Sequence, residues 1–385
     1  MVRPWESTVA SLALVASCLG LVAELAYFFE FGRYNIDEGM HLNAGRLIFS
    51  HGLLPYRDFP FSQGPGGPWF YGLLGQLFEP TLWVGRLGSL AAGLVCFGAL
   101  LTFAWRCAGV VAALGVALLL TLELPALWLF TQIRTEAGSM ALATLALLAF
   151  LGRRDNVLRA ALPAVLLVGA PAFRLTYVVA LLGVDAITGF ELRSQPRKLA
   201  GFLAITGAVG LLAALPILAF PESSFFHLFA AQNTRAERLG WPMFPPVARF
   251  WFFTHPETSY RAVLLLLPLP LLRIVLDRRP GGDRERARSL LALLAAAALV
   301  YVPQLWFTLG FFQYFEHAAL LLILAIGISL AAFLQPTTAP RTRALVLVWI
   351  ALAWLAGART IEPALPVWTD ATEPTVDRLA PLREE

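Results

Sequence analysis

The chain alternates between long apolar runs and shorter polar connections along its whole length. A membrane-spanning helix needs about 20 predominantly apolar residues, and tilt or a proline break accommodates runs of other lengths. Eleven runs meet this condition, and we expect each to form one span. The expected spans are residues 7–29, 82–105, 109–124, 135–151, 158–172, 175–190, 199–220, 260–276, 289–309, 316–334 and 344–358. The pattern predicts an all-α, polytopic transmembrane bundle that forms a single membrane domain over residues 1–385.

Composition agrees with a chain that is dissolved in lipid. Of its 385 residues, 58% are hydrophobic and 14% are charged, whereas soluble domains contain about 45–50% apolar and about 25% charged residues. The net charge is +4, but the basic residues are scattered between apolar runs and form no dense stripe, which excludes nucleic acid as a partner. The three cysteines lie in or beside apolar runs and are expected to be packing residues.

Positive charges set the expected orientation. Arginines gather in alternate short connections, at residues 153–159, 193–198, 278–288 and 341–343. Short cytoplasmic loops are enriched in Lys and Arg, so we assign these connections and the N-terminus to the inside. Two long polar connections, residues 30–81 and 221–259, and a short tail at 359–385 then lie outside. The predominance of arginine over lysine favours a bacterial inner membrane, whose lipids surround the chain.

The first outer connection is predicted to be structured. Residues 40–49 place apolar side chains on one side of a short helix, and clusters of glycine and proline mark turns around it. We expect short helices here to lie in the membrane interface on the outer face, held by aromatic anchors. The predicted anchors are Trp69, Phe70 and Tyr71.

Two adjacent acids, Asp37 and Glu38, stand directly before this helix. The positive end of the helix dipole favours their charge, and helix capping alone is the alternative explanation. Together with His41 they are also compatible ligands for a divalent metal ion, the cofactor that the sequence leaves open. No second cluster of ligands supports that site.

Ionisable residues at the ends of spans are costly and are therefore candidate functional residues. Under the expected topology most of them gather near the outer boundary, where they would line an outward-facing polar cavity. For the arginines, snorkelling to lipid headgroups is the alternative, and for the Glu-His pair it is a buried pair without a function. The candidates are His41, Arg57, Asp58, Arg86, Arg134, Glu136, Arg174, Tyr314, Glu316 and His317.

An ordered set of motifs in the first 190 residues resembles the C-type membrane glycosyltransferases, of the protein mannosyltransferase and lipid A aminoarabinose transferase kind. The Asp37-Glu38 pair follows the first span, and residues 41–46 and 52–58 and a glycine-proline-tryptophan-tyrosine stretch follow in order. Arg134-Thr135-Glu136 is similar to the second acidic position of that family, and residues 169–174 are similar to its basic position.

The resemblance implies transfer of a hexose or pentose from a polyprenyl-phosphate carrier to an acceptor hydroxyl, with inversion at the anomeric carbon, on the outer face of the cytoplasmic membrane. The acceptor is a lipid, a glycan or a protein. Asp37 is expected to be the general base, with Glu38 as its partner or as a ligand to the acceptor. Arg174, Arg134 and Arg86 are expected to bind the donor phosphate.

Two departures from the family qualify this expectation. Glu136 stands where an aspartate is more usual, and no sizeable soluble domain follows the last predicted span. Acceptor recognition is therefore expected from the two long outer connections. The alternative function is a lipid-linked glycan or small-molecule transporter, but the midpoints of the predicted spans are almost purely apolar, which favours an enzyme with a one-sided site.

Overall fold

The computed structural model describes residues 4–32, 34–151, 157–230, 260–279, 282–307, 315–335 and 338–368. Within these ranges the chain is helical and forms no strand, which confirms the predicted all-α class. A 3₁₀ turn at Leu175–Tyr177 and a π turn at Phe226–Ala230 supplement the α-helices. The α-helices are α1 (Pro4–Phe31), α2 (Ile36–His51), α3 (Gly66–Leu77), α4 (Leu82–Ala108), α5 (Val110–Leu120), α6 (Leu124–Phe130), α7 (Thr135–Leu151), α8 (Val157–Phe173), α9 (Val178–Leu192), α10 (Pro196–Leu218), α11 (Pro221–Phe225), α12 (Tyr260–Leu266), α13 (Pro268–Asp277), α14 (Arg284–Phe307), α15 (Glu316–Phe333) and α16 (Pro340–Trp368).

Helical structure covers every predicted span within the described residues, but fewer helices have the length and apolarity to cross a membrane unaided. Five helices of the described part do so: Thr8–Phe31, Leu82–Ala108, Leu175–Leu192, Pro196–Leu218 and Glu316–Phe333. Helices α5 and α6 make a sixth if they are counted as one broken span. The predicted number of about 11 spans therefore stays a prediction.

The run at 109–124, predicted as one span, is broken. Helix α5 ends at Leu120, and α6 begins at Leu124 after a bend of 82°. Pro125 at the start of α6 has no N–H to continue the preceding helix, and it favours a fresh helix start. The bend leads the chain inward, because every residue of α6 is buried. It delivers the following segment, residues 131–134, to the interior of the bundle.

Helix α15 is the central element of the bundle. All of its residues except Leu322 are buried, and it packs against α4, α5 and α14. At the crossing with α5, a Cβ built on Gly327 would lie 2.5 Å from Val116 Cγ2. Small residues let membrane helices approach closely and gain van der Waals contact. Gly327 therefore sets the distance between these two helices.

Helices α2 and α3 form the predicted structured part of the first connection. They cross at a pair of glycines, since a Cβ on Gly45 would lie 2.6 Å from Gly72 Cα. The aromatic anchor prediction is wrong for Tyr71, which is 1% exposed because its hydroxyl bonds within the bundle, whereas Trp69 is 41% exposed. The placement of both helices in the outer interface stays a prediction.

The other predicted outer segments are described only in part. In the connection 221–259, α11 and the π turn extend to Ala230, and residues 231–259 lie outside the described part. The predicted tail does not begin at residue 359, because α16 continues to Trp368. Residues 369–385 lie outside the described part.

Candidate active site

A capping box at the start of α2 separates the two adjacent acids. The Asn35 side chain accepts a hydrogen bond from the Asp37 N–H (2.9 Å), and the Glu38 carboxylate accepts one from the Asn35 N–H (3.0 Å). This reciprocal arrangement satisfies the first N–H groups of the helix. It turns Glu38 into the bundle, where its side chain has no exposed surface, and leaves Asp37 35% exposed.

Glu38 and Arg86 form a fully buried ion pair. Arg86 Nε donates to Glu38 Oε1 (2.8 Å), and Arg86 Nη2 donates to Glu38 Oε2 (2.9 Å). The same guanidinium donates to the carbonyl oxygens of Phe29 (3.1 Å) and Gly32 (3.4 Å). This burial argues against the predicted contact of Arg86 with a donor phosphate and of Glu38 with an acceptor. The pair instead joins α1, α2 and α4.

Asp37 meets Arg134 at the entrance to α7. Arg134 Nη1 donates to Asp37 Oδ2 (3.2 Å), and the guanidinium lies over the Trp128 ring, 4.5 Å from its centroid. The aromatic face stabilises the cation and limits its movement. Arg134 Nε is buried, and within the described residues it has no hydrogen-bond partner. The partly exposed Asp37 carboxylate is therefore accessible to a ligand, and Arg134 lies directly beside it.

Glu136 meets Arg174 beside this pair. Glu136 lies in the first turn of α7, Arg174 follows the end of α8, and Arg174 Nη1 donates to Glu136 Oε1 (2.5 Å). The charge of Arg134 also acts on Glu136. The structure thus assembles a row of alternating charges, Asp37, Arg134, Glu136 and Arg174, which we call the charged row.

A glycine-rich segment fixes the geometry of the row. A Cβ on Gly64 would lie 2.2 Å from the Ala172 carbonyl oxygen, and one on Gly66 would lie 2.8 Å from the Ala172 carbonyl carbon. A Cβ on Gly67 would lie 2.9 Å from Thr135 Cγ2. The backbone approaches at Gly64 and Gly66 leave no room for a Cβ, and they seat the first connection against the turn that carries Arg174.

Gly64→Ala is expected to destabilise the protein by about 1–3 kcal/mol, the usual cost of overpacking, because its Cβ meets the backbone of the turn that carries Arg174. Thermal unfolding of the purified chain measures this loss. Gly98→Ala is the matched control, because a Cβ at Gly98 meets no atom within 4 Å. Unchanged stability in Gly64→Ala would contradict the proposed role of this contact.

His41 lies behind the row and is buried. Burial disfavours the charged imidazolium and lowers the pKa of His41 to about 4; the nearby Glu136 partly offsets this shift and Arg134 adds to it. His41 is therefore neutral at physiological pH. It faces Gly67, and its ring centroid lies 5.8 Å from that of Phe61 and 6.0 Å from that of Tyr71.

The metal site left open by the sequence is not assembled. Within the described ranges no group of three or more His, Cys, Asp or Glu side chains has an arrangement that would hold a metal ion. Of the expected ligands, Glu38 faces Arg86 and Asp37 faces Arg134. These acids are paired with arginines.

Other predicted site residues lie elsewhere. Arg57 and Asp58 form a local pair (2.7 Å), and their further contacts are with the Leu54 N–H and the Phe220 ring. Tyr314 lies outside the described residues. The structure therefore places Arg57 over the Phe220 ring, at the end of the predicted span 199–220.

Glu316 and His317 lie in a second buried polar cluster. The Glu316 carboxyl interacts with that of Glu123, and His317 Nε2 lies 3.0 Å from Thr144 Oγ1. The His317 ring packs on Tyr177, with 5.5 Å between the centroids. Since Tyr177 is three residues after Arg174 in a 3₁₀ turn, this cluster supports the row from within the bundle.

Sequence reasoning missed several residues that shape the row. The Trp128 ring lies against the Arg134 guanidinium, and Tyr71 bonds to the Arg134 backbone. Tyr177 packs on His317. Gln63 accepts a hydrogen bond from the Thr135 hydroxyl (2.8 Å). The sequence carries no local signal for the contacts of Tyr71, Tyr177 and Gln63, because each joins segments that are distant along the chain. Trp128 is close to Arg134 in sequence, but the two meet across the irregular segment 131–134.

No family model and no curated protein matches the sequence. Solved structures do match. ArnT from Cupriavidus metallidurans, bound to undecaprenyl phosphate, is similar with a TM-score of 0.57 and 16% identity over 90% of this chain. The archaeal oligosaccharyltransferase AglB from Archaeoglobus fulgidus, in complex with an inhibitory peptide and a dolichol-phosphate, is similar with a TM-score of 0.56 and 12% identity over 93% of this chain.

The chain therefore shares its fold with ArnT, the lipid A aminoarabinose transferase, and with AglB. Both neighbours are C-type, polyprenyl-phosphate-dependent membrane glycosyltransferases, which confirms the predicted resemblance. Both are longer: the match spans 63% of the ArnT chain and 56% of the AglB chain.

Proposed function

We propose that the chain is a membrane glycosyltransferase that moves a sugar from a polyprenyl-phosphate carrier to an acceptor hydroxyl. The observation that carries the proposal is the partly exposed Asp37 carboxylate beside Arg134, at the start of the charged row. It occurs in a fold shared with ArnT and AglB, whose structures hold undecaprenyl phosphate and dolichol-phosphate.

Asp37 acts as the general base. It takes the proton of the acceptor hydroxyl while the acceptor oxygen forms a bond to the anomeric carbon. The bond between that carbon and the phosphate oxygen breaks, its electron pair stays on the phosphate, and the carrier leaves as polyprenyl phosphate. One displacement of this kind inverts the anomeric configuration. Arg134 orients the Asp37 carboxylate through its Nη1.

Arg174 and Arg134 stabilise the negative charge that develops on the departing phosphate. Guanidinium groups are permanently charged and bind phosphate oxygens through two N–H groups at once. Arg174 is 14% exposed, and the buried Nε of Arg134 is without a partner among the described residues. Glu136 and Trp128 hold these guanidinium groups in place.

The acceptor is a lipid, a glycan or a protein that approaches from the outer face of the cytoplasmic membrane. The first connection presents Asp37 to that side in the proposed topology, with the N-terminus inside. The arginine-rich alternate connections support this orientation. The transporter alternative is not favoured, because ArnT and AglB, which share the fold, are glycosyltransferases.

The proposal is tested by mass spectrometry of envelope glycans and extractable glycolipids. Wild-type cells are compared with a deletion strain and with strains that carry Asp37→Asn or Glu79→Gln. Glu79 is exposed in the same connection and is the matched control. We expect one sugar to disappear in the deletion and Asp37→Asn strains and to remain with Glu79→Gln. Intact glycans in the deletion strain would contradict the transferase proposal.

A further inference from the structure

The segment 131–134 carries Arg134 to the row without regular secondary structure. It connects α6 to α7 and is buried at every residue. Backbone N–H and C=O groups outside a helix or sheet must find other partners when they are buried. The groups that form hydrogen bonds to this backbone therefore fix the position of the Arg134 backbone, and with it the point from which the Arg134 side chain extends.

Tyr71 makes two hydrogen bonds to this backbone. Its hydroxyl donates to the Arg134 carbonyl oxygen (2.7 Å) and accepts from the Arg134 N–H (3.1 Å). Ser89 Oγ lies 2.8 Å from the same hydroxyl and is the remaining donor to it. A phenol offers one donor and accepts through its oxygen lone pairs, so three partners from two elements use its capacity. Tyr71 thereby joins α3 and α4 to the Arg134 backbone.

Glu38 holds the preceding residue. Its Oε1 accepts a hydrogen bond from the Ile133 N–H (3.1 Å) while Arg86 binds the same carboxylate. The two adjacent acids of α2 thus act on consecutive parts of one segment: Glu38 binds the backbone at Ile133, and Asp37 binds the side chain of Arg134. This fixes the register of α2 against the segment.

We infer that Tyr71 is a positioning residue that sets the Arg134 guanidinium against Asp37 and the carrier phosphate. The inference rests on the proposed function, in which Arg134 contacts that phosphate. Tyr71→Phe keeps the aromatic ring, which packs on Phe70 with 5.1 Å between the centroids, and removes only the hydroxyl. The Arg134 N–H and C=O then lose their shared partner, and the guanidinium shifts from its place over Trp128.

The first readout follows Arg134 without any substrate. The full chain is labelled with 5-fluorotryptophan, and its ¹⁹F signal from Trp128 is assigned with Trp128→Phe. Because Arg134 lies over this ring, we expect Tyr71→Phe to move the Trp128 signal, as Arg134→Gln does. The matched control is Tyr27→Phe, since Tyr27 is 40% exposed on α1. A Trp128 signal that stays in place in Tyr71→Phe overturns the inference.

The second readout is the affinity of the full chain in lipid nanodiscs for undecaprenyl phosphate, used as the probe. We expect Tyr71→Phe to weaken binding about tenfold, which corresponds to about 1.4 kcal/mol, and to have no further effect in the Arg134→Gln background. Two substitutions that weaken binding through the same residue, here Arg134, have non-additive effects in such a double-mutant cycle. Equal weakening in both backgrounds overturns the inference, because Tyr71 would then act independently of Arg134.

The two readouts separate the failure of this inference from the failure of the proposed function. If Arg134→Gln leaves undecaprenyl phosphate binding unchanged while the Trp128 signal moves in Tyr71→Phe, the phosphate contact of Arg134 is wrong and its positioning by Tyr71 stands. If Arg134→Gln weakens binding and Tyr71→Phe does not, the positioning inference is wrong and the phosphate contact stands.

Discussion

Replacing Asp37 with asparagine is expected to reduce the rate of sugar transfer by about 10²–10⁴-fold, the contribution that general-base help typically makes. The amide keeps the shape of the carboxylate, and its oxygen still accepts a hydrogen bond from Arg134 Nη1. It cannot take a proton from the acceptor hydroxyl. The loss should therefore fall on the chemical step, with the affinity for the carrier retained.

The measurement uses the full chain in nanodiscs and the donor glycolipid that the envelope analysis identifies. Single-turnover rates report the chemical step, and undecaprenyl phosphate binding reports the folded site. The Glu79→Gln variant, altered at an exposed acid of the same connection, should transfer at the wild-type rate. Turnover near the wild-type rate in Asp37→Asn would show that another group removes the proton.

Replacing Arg86 with methionine is expected to destabilise the fold by about 3–5 kcal/mol, because it leaves the buried Glu38 charge without its partner. The Glu38 carboxylate has no exposed surface, so water cannot replace the two lost hydrogen bonds. The same change releases the carbonyl oxygens of Phe29 and Gly32. The joint between α1, α2 and α4 should open first.

Thermal and denaturant unfolding of the purified chain measure this loss. Arg106→Met is the matched control, because Arg106 is exposed in the last turn of α4. Adding Glu38→Gln to Arg86→Met should restore part of the stability, since the amide is neutral and its oxygen still accepts from the Ile133 N–H. A loss below about 1 kcal/mol in Arg86→Met, the range of exposed pairs, would contradict a structural role for this ion pair.

The sequence predicted the parts of the site that depend on position along a helix. Apolar runs place Glu136 at the start of α7 and Arg174 after the end of α8, and consecutive helices of a bundle bring such ends to one side. The expected topology places Asp37 on the same side of the membrane as Glu136 and Arg174, so it predicts that the three residues lie near one another. Most helix ends lie within a few residues of the predicted span ends for the same reason, because span length follows membrane thickness. The exceptions include the break inside the run at 109–124 and α16, which continues to Trp368.

The pairing of side chains was not predictable in the same way. Glu38 and Asp37 are adjacent, and the expectation treated them alike, yet one lies in the interior and the other at the site. Tyr71 resembled an interfacial anchor, because the same aromatic side chain serves at a membrane surface or in a buried network. What separates the two cases is a partner 63 residues away in sequence. Local patterns carry no information about such partners.

The burial of α15 separates what its sequence needs during synthesis from what it needs in the folded protein. Apart from Leu322, its residues are buried, so in the folded bundle its apolar side chains pack against protein and not against lipid. A helix that inserts before it associates must first be stable alone in the bilayer, which is the first stage of membrane protein folding. The same apolar sequence thus suits α15 both to lipid before the helices associate and to a position that excludes lipid afterwards.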